Sequence, residues 1–331
     1  MIHRRQFLQG GLGAPVLATG FAAGLGLLPT ARAQALAPRA RLKLLVPANP
    51  GGGWDQTAKA VAATLQATRL VEQVELEHKP GKGGVPGLAH FVDKYSGDAD
   101  TLMIGGLVMC GAIALHRAPV DLTQVQPVAK LTTDTLVIAV PRESALTSGK
   151  ALVEAMRSRP QTLSFGGGSA GGVDHMLLGM IARAIGVDAA TLKYVPSSAG
   201  ADFARALKQG ALSAGIAGYS ELKDGIADGS LRALAVSSAR GLFSVPSLRE
   251  QGIATELGNW RGLFAAPGAP REAVEGWGQL LQKMAGTTEW KAQLERHNWR
   301  AAPLYGAAFR HFVDYEQTSA RVVIHLLKMQ A

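Results

Sequence analysis

"PANPGGGWDQTAK", residues 47–59, joins an apolar run (Leu42, Leu44, Leu45, Val46) to a run with helical spacing (Ala58, Val61, Ala62, Leu65). The first run reads as a strand and the second as one face of a helix. In open parallel sheets ligands bind at the carboxyl ends of the strands, where turns lead into helices. A helix N-terminus there offers unpaired N–H groups and about half a positive charge, which suits a carboxylate or phosphate. Gly51, Gly52 and Gly53 leave those donors open to close approach. Asp55 is expected as the helix N-cap, since a carboxylate facing an anionic ligand would repel it. Two roles stay open for Trp54: walling a pocket, or packing on its own lobe.

The construction recurs at "TLSFGGGSAGGVDHMLLGMIARAIG", residues 162–186. A strand ends in Gly166, a bare turn follows, and Leu177, Met180, Ile181, Ala184 and Ile185 then mark a helix that Gly186 stops. His175 falls opposite that stripe, as a cleft-facing donor or a plain exposed side chain. Ser169 either donates its hydroxyl to a carboxylate or caps the helix.

Two enzyme patterns overlap this turn. Gly166, Gly168 and Gly171 spell G-x-G-x-x-G, but the next strand, "LKYV", ends at Pro196-Ser197 where dinucleotide binding needs an acid. "GGSAG" is also G-x-S-x-G, the elbow of serine hydrolases, with "PGGGW" placed like an oxyanion turn. Asp188, Asp202 or Asp224 with His297 or His311 would complete a triad. Pro50 stands where esterases carry histidine, so an exported serine esterase using Ser169 is the second reading. Metal-ligand spacing is absent, "GKGG" lacks the P-loop pattern, and no cofactor is expected.

Strand-like and helix-like runs alternate along the chain, which argues for α/β architecture with largely parallel sheets. Candidate strands are 41–47, 71–77, 100–105, 134–140, 162–165, 191–195, 212–216, 231–237 and 260–265. "DTLVIAVPRES" and "NWRGLFAAPGAP" each end an apolar strand in proline before a helical run. They fit crossings between a discontinuous first lobe, 36–135 with 245–331, and a middle lobe, 136–244.

Arg4, Arg5, Phe7 and Leu8 precede an uncharged Gly/Ala/Leu-rich run, and "ARAQA" offers cleavage after Ala33 or Ala35. Residues 1–35 therefore resemble a twin-arginine export signal. Its glycines and Pro15 make the run weakly hydrophobic, which favours cleavage over a retained anchor. The 331-residue chain has 34 Lys and Arg against 25 Asp and Glu, net +9. Residues 1–33 hold three of those arginines and no acid, so the mature chain keeps +6. That excess favours anionic small molecules or an anionic surface. With no basic cluster and no basic–aromatic alternation, nucleic acid is not expected as a partner. The single Cys110, in an apolar stretch, reads as a buried small hydrophobe.

Taken in order, "PANPGGGWDQTA", "HKPGKGGVPGLAHF", "TLMIGGLVM", "GGSAGGVDH", "LRALAVSS" and "NWRGLFAAPG" resemble the solute receptors of tripartite tricarboxylate transporters, the Bug receptors. "GGGWDQ" and "GGSAGG" resemble the tricarboxylate-type branch. The resemblance implies a two-lobe periplasmic-binding-protein fold of type II with the ligand cleft between the lobes. It also implies a non-enzymatic, monomeric periplasmic receptor for a di- or tricarboxylate, citrate-like first. Its partner would be a membrane permease with one large and one small subunit. Carried over by motif, the ligand turns are Gly51 to Asp55 and Gly168 to His175, with Ala170, Gly171, Gly172 and Asp174 inside the second. Ser197, Ser198 and Ala201 depart from the family's glycine-rich turn after "YVP", and Ser198 is a candidate donor. Tyr219 and Arg261 take cleft positions or serve as packing or hinge residues.

Overall fold

The computed structural model describes residues 39–197 and 200–329; the expected export signal lies outside them. Strands and helices alternate: β1 (Arg39–Val46), α1 (Gly53–Ala67), β2 (Val71–His78), α2 (Val85–Lys94), β3 (Thr101–Gly106), α3 (Leu107–His116) and β4 (Gln126–Pro141). Next come α4 (Gly149–Ser158), β5 (Ser164–Gly167), α5 (Val173–Ala184), β6 (Lys193–Pro196), α6 (Gly200–Lys208), β7 (Ala214–Gly218), α7 (Tyr219–Ala227) and β8 (Leu231–Val236). The chain closes with β9 (Gly258–Ala265), α8 (Arg271–Ala285), α9 (Thr288–His297), β10 (Arg300–Tyr305) and α10 (Gly306–Leu326).

Strand pairing falls into two groups that share β4. The first runs β2-β1-β3-β9-β4 with β10 also on β4, and the second runs β4-β7-β5-β6 with β8 also on β4. Up to Thr135, β4 pairs with β9; from Leu136 it pairs with β7, and from Val137 also with β8. Side chains alternate across a strand, so Leu136, Ile138 and Val140 join the main core while Val137 and Ala139 join a smaller one with Phe203, Leu207 and Val236. β1 buries Leu42, Leu44, Leu45 and Val46, and β3 is buried throughout, as expected of strands covered on both faces.

The sheets are mixed, which corrects the expectation of largely parallel ones. Pairs β1–β2, β1–β3, β5–β6 and β5–β7 are parallel, whereas every pairing of β4 and β9 is antiparallel. The reason is topological: β4 carries the chain into the second group and β9 brings it back, so the two run in opposite directions. Two pieces of strand carry little sequence signal. The first half of β4 holds Pro127 and Lys130, whose ammonium lies 3.9 Å from the Phe312 ring centroid and is thereby accommodated. β10 is largely solvent-facing and shifts register between Ala301 and Leu304, around Pro303, a residue that donates no ladder bond.

Candidate carboxylate site

A cavity of about 140 Å³ lies among the turns that follow β1, β2, β3, β5 and β7. Among the helices that begin at its wall, five start on a described N-cap residue: α1, α2, α3, α5 and α7. Their N-cap residues are Gly52, Gly84, Gly106, Gly172 and Gly218, and no side chain caps any of them. By contrast α4 and α9, which do not line the cavity, start on Ser148 and Thr287, whose hydroxyls accept the N–H groups of Ala151 and Trp290. A helix leaves its first N–H groups without intrahelical partners. Among the described residues, no acceptor serves the N–H of Gly53 or Trp54. The cavity is thus ringed by partial positive charge that belongs to the backbone.

Aspartates tie two of the turns down. Asp55, in the first turn of α1, accepts the Gly51 N–H at 2.8 Å and meets Lys59 at 2.7 Å and His78 Nε2 at 2.8 Å. Burial opposes its ionisation, but these partners outweigh burial and hold its pKa below the ordinary carboxylate value. Asp174, in the first turn of α5, accepts the Gly168 N–H at 2.8 Å. Here burial dominates, the charge of Glu221 adds to it, and the carboxyl is pushed up to about 8. Glu221, in the first turn of α7, is pushed up to about 7 by burial and by Asp134, against the opposing charge of Arg261.

Among the described residues Arg261 is the one guanidinium on the cavity wall, and it is already paired. Its Nη2 donates to Asp134 Oδ2 at 2.8 Å and its Nη1 to Thr57 Oγ1 at 3.2 Å, with Arg261 1% and Asp134 0% exposed. A Cβ on Gly53 would stand 2.6 Å from Arg261 Nη2, so glycine at 53 is what lets the guanidinium lie against the turn. The arginine therefore fixes the α1 turn while its charge is balanced from below.

The sequence profile of the tripartite tricarboxylate transporter family receptor matches residues 58–301. The chain belongs to that family. Among its relatives, a protein from the tcbD–tcbE intergenic region of Pseudomonas sp. strain P51 is 29% identical over 266 residues, 76% of this chain and 77% of that one. BugT of Bordetella pertussis is 27% identical over 245 residues, 72% and 74% of the respective chains. The fold is that of periplasmic binding proteins. BugD superposes with TM-score 0.79 at 18% identity, over 89% of this chain and 99% of that one. MatC of Rhodopseudomonas palustris, with malate bound, gives 0.74 at 21% identity, over 86% and 99%. An R. palustris protein with adipate bound gives 0.78 at 22% identity, over 88% and 99%.

In this receptor the cavity brings together Gly52, Gly53, Trp54, Gly168, Ser169, Asp174 and Arg261. Trp54 lines the cavity, and its ring lies where a Cβ on Gly84 would touch it at 2.8 Å. Other candidate residues stand outside the lining. Gly51 and Asp55 bond each other, and Asp55 sits three residues after the N-cap, which is Gly52. Ala170, Gly171 and Gly172 form the back of their turn; Gly171 has φ +74° and packs on Leu115 of α3. His175 stacks on Tyr194 at 4.1 Å, and its Nδ1 accepts the Gly171 N–H. Burial pushes it down to about 4, which keeps it neutral in that role. Tyr219 stacks on Phe243 at 3.8 Å. Ser198 lies outside the described residues.

Ser169 has no imidazole within hydrogen-bonding distance among the described residues; His297 stacks on Trp299 instead. Sequence reasoning passed over Lys82, Gly83, Gly84, Glu221 and Asn259, all on the wall. The signal for the first three was present: "GKGG" after β2 and before α2 repeats the strand–glycine–helix pattern of the other two turns. Glu221 and Asn259 carry no such local mark. Among the described residues no group of His, Cys, Asp and Glu could hold a metal ion, and no helix is long and apolar enough to cross a membrane.

Proposed function

We propose that the chain is a periplasmic receptor that binds a small carboxylate and hands it to a membrane permease with one large and one small subunit. The observation that carries this reading is the convergence of five glycine-started, uncapped helices on one cavity. Such termini bind an anion through the backbone and need no basic clamp. Family membership supports the receptor role, and the malate and adipate held by two proteins of this fold support a small organic acid. With Arg261 balanced by Asp134, the cavity suits one or two carboxylates better than the three of citrate.

We take residues 36–135 with 245–331 as one lobe and 136–244 as the other, closing on the ligand. The exchange of β4's partners at Thr135 and Leu136 supports that boundary. The chain acts as a monomer, is exported by the twin-arginine route and catalyses no reaction. Changing both Arg4 and Arg5 to lysine is expected to hold it in the cytoplasm; normal export of that variant would remove the route.

A thermal-shift panel of organic acids on the mature chain tests the receptor reading. A ligand at a hundred times its Kd stabilises the fold by about 2.7 kcal/mol. At least one small carboxylate is expected to raise the melting temperature, and a panel with no response would contradict the reading.

A further inference from the structure

The turn that follows β5 is held from outside the carboxylate cavity. Tyr194 of β6 donates its hydroxyl to the Gly168 carbonyl at 3.0 Å, and the Gly171 N–H donates to His175 Nδ1 at 3.2 Å. The two rings, stacked at 4.1 Å, also form part of the wall of a second cavity. It has a volume of about 360 Å³ and shares no lining residue with the first. Sites for small molecules run from roughly 300 to 1,000 Å³. This one lies between α5, the segment before β6 and the end of α10, and Leu178, Leu192, Leu327 and Met329 make its surface mainly apolar. Glycine at 179 lets the end of α10 come close, since a Cβ there would stand 2.5 Å from Leu327 Cδ1.

The polar side chains on this wall are donors. His175 is neutral and its Nδ1 accepts, so the ring proton sits on Nε2, where it meets no acceptor among the described residues. The Lys328 ammonium has no carboxylate within 4.0 Å among the described residues, and no Asp or Glu of that set lines the cavity. Tyr194 has already committed its hydroxyl proton to Gly168. Beside Lys328 the cavity abuts another of about 310 Å³, which adds Arg183 and Asp188; the Asp188 carboxylate accepts the Ala190 N–H at 3.1 Å. A cationic guest would meet Lys328 with no acid on the wall to balance it, and a purely apolar one would leave the Nε2–H unmatched. We propose that this cavity is a second ligand site, for a carboxylate carried on an aliphatic or aromatic body, and that its occupant acts on the turn after β5 through His175. The carboxylate meets Lys328 and the Nε2–H, and the body lies on the leucines. An acceptor at Nε2 polarises the ring and strengthens Nδ1 as an acceptor, so the Gly171 N–H is held more firmly. Gly168 and Ser169 of the same turn line the first cavity, so filling the second orders the wall of the first. The site goes beyond the receptor reading and does not depend on it.

Octanoate, titrated into the ¹⁵N-labelled mature chain, tests this, with octylammonium as a cation of equal chain length. Octanoate should shift the amides of Gly179, Ala189, Ala190 and Lys328 saturably, and ten times or more tighter than octylammonium does. Lys328→Glu, a change at an exposed residue beyond the last helix, should weaken octanoate at those amides at least tenfold. Should that variant not fold, the ratio of octanoate to octylammonium decides. At saturation, octanoate should slow hydrogen exchange of the Gly171 amide at least threefold. Four unmoved amides, octylammonium of equal strength, unchanged affinity in Lys328→Glu, or a Gly171 amide that exchanges as before would each overturn the proposal. Shifts confined to Gly53 and Trp54 would put octanoate in the first cavity, which overturns the second site and leaves the receptor reading standing.

Discussion

Gly52 has φ −80° and ψ 173°, which any residue adopts, and a Cβ there would meet only the Asn49 carbonyl oxygen, at 3.8 Å. Sterics do not require glycine at this N-cap; an open anion site does. An aspartate in its place would accept the N–H groups that the ligand needs. Relative to glycine it caps a helix better by a few tenths of a kcal/mol, about the scale of measured differences at such positions. Gly52→Asp is therefore expected to keep or slightly raise the melting temperature while abolishing carboxylate binding, read by calorimetry beside a thermal melt. Undiminished binding would mean that the α1 terminus is not the anion site. Gly171 is the opposite case. Its φ of +74° and a Cβ that would stand 2.8 Å from Leu115 make it a packing glycine, so substitution there would damage the fold. In the sequence the two glycines look alike, because what separates them is the distance to α3.

At the scale of elements, the strand–glycine–helix units were legible because each is local: an apolar run, bare residues, then a helical stripe. The third such turn, at Gly81 to Gly84, was legible by the same rule once it was applied to "GKGG". Glu221 in the first turn of α7 was not, and for Asp174 in the first turn of α5 only its place in the motif was, because the effect of both depends on burial against residues far along the chain. Their sign can be worked out. The Glu221 carboxyl titrates near 7 in the fold, against an ordinary value of about 4.3. Between those limits the folded chain keeps a proton that the unfolded chain has lost. This site therefore lowers stability as pH rises through that window. His175 and His297, pushed down to about 4 by burial, act in the opposite direction below the ordinary histidine value. The comparison that isolates Glu221 is thus between the wild type and Glu221→Gln. Without ligand, the variant's gain in melting temperature should be small at pH 5 and larger at pH 8. A gain independent of pH would show that the carboxyl is not destabilised by ionisation.

For the whole molecule, the two proline-ended segments marked strands, since "DTLVIAVPRES" lies in and beyond β4 and "NWRGLFAAPGAP" in and beyond β9. Their antiparallel pairing was not legible, because hydrophobic pattern reports that a strand is buried and not which way its neighbour runs. The same limit hid Arg261 and Asp134. They lie in different strands far apart in the sequence, and only the pairing of β4 with β9 brings them to 2.8 Å. The receptor reading depends on an anion being held by backbone N–H groups at uncapped helix starts. A titration of the ¹⁵N-labelled mature chain with a carboxylate that binds it, followed over the amide spectrum, tests that most directly. The largest shifts are expected on Gly53, Trp54 and the first turns of α5 and α7. Binding that leaves those amides unmoved while others shift would contradict it.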